Sequence, residues 1–95
     1  MEEILDNSRL ENLYRAILTL KSEEECKNFF RDLCTISELM AMSERFDVVK
    51  KIDEGTSYRE INKKTGVSTA TITRVAHWLH HGMGGYRLAL DRIKS

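Results

Sequence analysis

The sequence predicts an all-α fold: one multi-helical domain spanning residues 1–95, with a helix-turn-helix at 57–79. Three observations point there. The chain has 95 residues, no Pro and only 5 Gly, so the two strongest helix breakers are rare. Apolar residues recur at three- and four-residue spacing along its length. Ser-x-x-Glu pairs, which cap helix N-termini, stand just ahead of apolar stripes.

Leu10, Leu13, Ile17 and Leu20 predict an amphipathic helix over about 8–20. Ser22 and Glu25 predict the start of the next, which runs to about Cys34 with Cys26, Phe29, Phe30 and Leu33 inward. Glu23, Glu24 and Glu25 suit the positive end of that helix dipole. Ser37 is the expected cap of a third helix carrying Leu39, Met42, Phe46, Val49 and Ile52, and Gly55 should end it. Gly82, Gly84 and Gly85 predict a turn into a last helix over 86–94. Met40 and Met42 are expected in the core or a dimer contact.

Charge divides the chain. Residues 1–55 hold 8 Lys/Arg against 13 Asp/Glu, a net of −5, and residues 56–95 hold 7 against 2, a net of +5. A net charge of +0 therefore hides a basic C-terminal part able to face a polyanion. No apolar run approaches the roughly 20 residues of a membrane span. The acidic start lacks the basic and apolar regions of a secretory signal, so a cytoplasmic protein is expected. Cys26 and Cys34 form no CxxC pair and are read as small buried thiols.

Within 57–79, Ser57 and Glu60 start a short helix near Tyr58 with Ile61 inward. Thr65, Gly66 and Val67 make a tight turn in which Gly66 takes a positive φ. Ser68 caps a second helix whose apolar stripe is Ile72, Val75, Ala76 and Leu79. Two helices, a short glycine turn and a single stripe describe a helix-turn-helix. The other face of the second helix carries Ala70, Arg74, His77 and His81, with Thr71 and Thr73 flanking the stripe. Ser68, Thr69, Ala70 and Thr73 are small enough to enter a major groove and read base edges, and Arg74 can pair with guanine or phosphate. Arg59, Lys63 and Lys64 are placed for backbone contacts with double-stranded DNA. The rival reading is a helical protein-interaction adaptor that uses the same face.

Other chemistry finds little support. The glycines at 82–85 have no phosphate-loop context. No nucleophile and base pair up by local motif, so no enzyme and no cofactor is expected. His77 and His81 are spaced to share a metal ion, but no Cys or carboxylate nearby in sequence completes a shell, and no metal site is expected.

The stretch Ala70–Arg74 (ATITR), with Ser57, Arg59, Glu60 and Gly66 before it, resembles the tryptophan repressor from about Thr35 onward. The whole chain, including the WLHHGMGGY stretch, resembles the repressor-related YerC/YecD family of bacterial transcriptional regulators. The resemblance implies an intertwined homodimer whose N-terminal helices, within 1–55, build a shared core. That would answer the small core of so short a chain. It also implies DNA contacts at Arg59, Asn62, Thr69, Ala70 and Thr73, with Asn62 standing where the repressor has lysine. The repressor's corepressor pocket maps onto Arg45, Thr71 and Arg74, which match. Val75 and Trp78 stand where it has glycine and serine. From this we expect Trp78 to fill the pocket from within and L-tryptophan not to serve as corepressor.

Overall fold

The computed structural model of the chain describes residues 7–95; residues 1–6, the acidic start of the chain, lie outside the described residues. The helices described are α1 (Ser8–Leu18), α2 (Glu23–Leu33), α3 (Ile36–Asp53), α4 (Tyr58–Thr65), α5 (Thr69–His81) and α6 (Gly85–Lys94). No strand occurs among the described residues. None of these helices is long and apolar enough to cross a membrane. The chain divides into two compact units, one ending at Leu39 and the other running from Met40 to Ser95.

In the first unit, capping follows local chemistry. Asn7 accepts from the Leu10 N–H at the head of α1. Ser22 accepts from the Glu25 N–H, and the Glu25 carboxylate reaches back to the Lys21 N–H. The third helix starts earlier than expected. Thr35, not Ser37, is the cap: its hydroxyl accepts from the Glu38 N–H while Glu38 accepts from the Thr35 N–H at 2.8 Å. This reciprocal Thr-x-x-Glu box also holds the Glu38 carboxyl below its ordinary pKa, chiefly through the Thr35 backbone donor. Neither α1 nor α2 contains a buried residue. Leu10, Leu13, Ile17 and Leu20 are only half-buried, as are Cys26 and Cys34, so the expected buried thiols are partly open to solvent.

The second unit holds the core. Val48 and Val49 from α3, Ile61 from α4, Ile72, Val75 and Leu79 from α5 and Leu90 from α6 are buried together. Phe46, Ile52, Val67 and Tyr86 pack against them. The stripe expected on α3 included Val49 but not Val48. Both are fully buried, so this helix is covered over a wider arc than one stripe allows. Met40 and Met42 stay exposed in the chain. Asp53 closes the unit: its carboxylate receives Arg87 at 2.7 Å and Lys94, fastening the end of α3 to α6.

Candidate nucleic-acid interface and adjoining cleft

The interface is built from the turn between α4 and α5. Ser57 caps α4 by accepting from the Glu60 N–H at 3.2 Å. Glu60 does not return the bond to Ser57; it pairs with Lys64 at 3.4 Å. Ile61 anchors the helix in the core with no exposed surface. Gly66 ends it at φ +76°, where its N–H donates to the Asn62 carbonyl. A side chain at that φ would be strained, which is why glycine occupies the turn.

Side chains then tie the turn shut. The Thr65 hydroxyl donates to the Ile61 carbonyl at 2.7 Å and accepts from the Val67 N–H at 3.1 Å. The Asn62 amide donates to the Val67 carbonyl at 2.7 Å. Asn62, named above as a DNA contact, is thus half-buried and engaged within the protein. Ser68 caps α5, accepting from the Thr71 N–H at 3.2 Å and donating its hydroxyl proton to the Thr71 hydroxyl at 3.1 Å.

The stripe of α5 is buried as Ile72, Val75, Ala76 and Leu79. Its opposite face is therefore free. Ser68, Thr69, Ala70, Thr73 and Arg74 are all exposed, and so are Arg59, Lys63 and Lys64. Lys64 pairs with Glu60 at the surface, whereas Arg59, Lys63 and Arg74 form no ion pair among the described residues. The first turn of α5 carries no acidic residue, leaving the positive end of its dipole open to an anion.

Beside this face lies an open cleft of about 500 Å³. The structure brings Arg45, Thr71, Arg74, Val75 and Trp78 together on its wall. Ala41 and Glu44 from α3 and Tyr86 from α6 complete the lining. Residues from three helices meet here, so local spacing could not name these last three. The expected self-filling does not occur. Trp78 stands at the edge, 55% exposed, with its ring edge-on to His77 at 5.2 Å, and the space between Arg45 and Arg74 is open.

Comparison with known proteins is consistent across the chain. Residues 8–94 match the model of the family described as Trp repressor protein. The Bacillus subtilis (strain 168) protein YerC is 46% identical over 91 residues, covering 96% of this chain and 88% of its own length. A TrpR-like protein from Eubacterium eligens superposes with a TM-score of 0.91 at 42% identity, over 97% of this chain and 95% of that one. A solved chain from Staphylococcus aureus gives a TM-score of 0.90 at 44% identity, over 97% and 92%.

Proposed function

The chain belongs to the Trp repressor protein family, and from that premise we propose that it is a sequence-specific DNA-binding transcriptional regulator. It acts as a cytoplasmic homodimeric repressor on palindromic sites, without L-tryptophan as corepressor. The observation that carries this is α5: one face buried, the other small, polar and exposed, with an unneutralised N-terminus beside free cations. Arg59, Lys63 and Lys64 contact phosphates and set the register. Thr69, Ala70, Thr73 and Arg74 read base edges. Asn62 and Ser68 act on DNA through the turn and the cap, by fixing where α5 points.

The dimer reading draws on the first unit. Helices α1 and α2 contain no fully buried residue in a single chain, and Tyr14, Leu18 and Leu33 are at least half exposed. Apolar stripes left open in this way are covered by a second copy. The two recognition helices then sit about 34 Å apart, one turn of DNA. Independence from L-tryptophan rests on the cleft wall, where Val75 and Trp78 stand in place of the tryptophan repressor's glycine and serine. Trp78 offers an indole where a hydroxyl would hold the ligand's amino group.

Selection of bound sequences from a random duplex pool, with and without L-tryptophan, tests this reading. A palindrome enriched in both arms is the expected result. Enrichment only with L-tryptophan overturns the corepressor-free part. No enrichment in either arm moves the assignment to a protein-interaction adaptor. Arg59→Ala should weaken binding to all sequences and reduce the log-log salt slope by about 1, as one phosphate contact is lost.

A further inference from the structure

We propose that His77 and His81 form an open binding site for a first-row divalent transition ion, zinc being the type case. The two residues lie one helical turn apart near the end of α5, and both are exposed. Their ring centroids are 5.2 Å apart. A zinc–imidazole bond of about 2.0–2.1 Å at a tetrahedral angle requires this spacing, once the distance from ring nitrogen to ring centre is added. No hydrogen bond or ion pair occupies either imidazole among the described residues. The i, i+4 spacing sets both rings on one side of the helix.

No third His, Cys, Asp or Glu joins them to make a fuller cluster among the described residues. The ion would keep water in its remaining positions. That openness gives the site its use. His77 and His81 continue the exposed face that carries Ala70 and Arg74. An ion there adds two positive charges and exchangeable positions suited to a phosphate oxygen. This second step rests on the DNA-binding reading; the site itself does not.

The chain contains a single tryptophan, and Trp78 packs edge-on against His77 at 5.2 Å. A paramagnetic ion on the pair therefore lies beside the only indole and quenches its emission. The test is titration of the whole protein with Ni²⁺, followed by Trp78 fluorescence, and with Zn²⁺, followed by calorimetry. Saturable quenching and one zinc per chain are expected. His77→Gln and His81→Gln should each weaken binding by more than about tenfold, the lower end of what loss of an outer-sphere partner costs. His80→Gln should leave it unchanged. Quenching and heat that persist in His81→Gln, or no binding at all, overturn the site.

Anisotropy of a labelled random-sequence duplex completes the test. Zinc should tighten wild-type binding several-fold and leave His81→Gln unaffected. Bound zinc with no change in DNA affinity overturns the ion's role on DNA and leaves the site standing. If the duplex does not bind with or without zinc, the ion's role on DNA is overturned, the selection above still decides the regulator reading, and the titration still decides the site.

Discussion

Asn62 occupies the position where the resemblance implies a DNA contact, yet its amide closes the turn onto the Val67 carbonyl. A partly buried neutral hydrogen bond contributes about 1 kcal/mol. Asn62→Ala should therefore lower the thermal midpoint by roughly 4–8 °C for a domain of this size, measured by circular dichroism. DNA affinity should fall with it while the salt slope stays constant, because no phosphate contact is removed. A tie across a turn leaves no mark on apolar periodicity, so this bond was not legible in the sequence. Gly66 was legible because a positive φ selects glycine by itself. The exposure of Trp78 was not: the cleft it borders is walled also by Arg45 and Tyr86, which arrive from other helices.

At the scale of the element, α5 depends on its cap. Ser68 satisfies the Thr71 N–H, and loss of such a cap costs roughly 0.5–2 kcal/mol. Ser68→Ala should lower stability by that amount in urea unfolding. Ser68→Asp keeps a capping oxygen and favours the helix dipole, so its stability should match the wild type. Its DNA affinity should fall, since it sets a negative charge where a phosphate would sit. Helix starts were read well where a Ser-x-x-Glu pair stood alone, as at Ser22 and Ser57. At Thr35 two hydroxyl residues compete. Ser37 lies nearer the apolar stripe, but only Thr35 has Glu38 three residues on, and the reciprocal bonds form there. Val48 escaped because adjacent buried positions break the single-stripe pattern that periodicity detects.

Across the second unit, Asp53 joins parts of the chain 34 and 41 residues apart through Arg87 and Lys94. Hydrogen bonds from Lys94, then from Arg87, hold its carboxyl below the ordinary range, and the bonds that Arg87 donates to Asp53 and then to Asp91 raise the guanidinium pKa. A carboxyl depressed in the folded state adds stability above its unfolded pKa, about 3.9, and loses it as pH falls through the lower folded value. Asp53→Asn should thus lower the thermal midpoint at pH 7, and the gap to wild type should close below about pH 4. Pairings this distant cannot be read from local spacing, although the charge split between the chain's two parts was visible at once. The Ser68 and Thr71 hydroxyls carry a different consequence. Thr71 lines the cleft, and it accepts the proton of the residue that caps α5. Its own hydroxyl proton remains available to whatever enters. A guest that accepts that proton polarises the pair and tightens the cap. On the proposed DNA-binding reading, such a guest and the DNA are thermodynamically linked: each must change the other's affinity by the same factor.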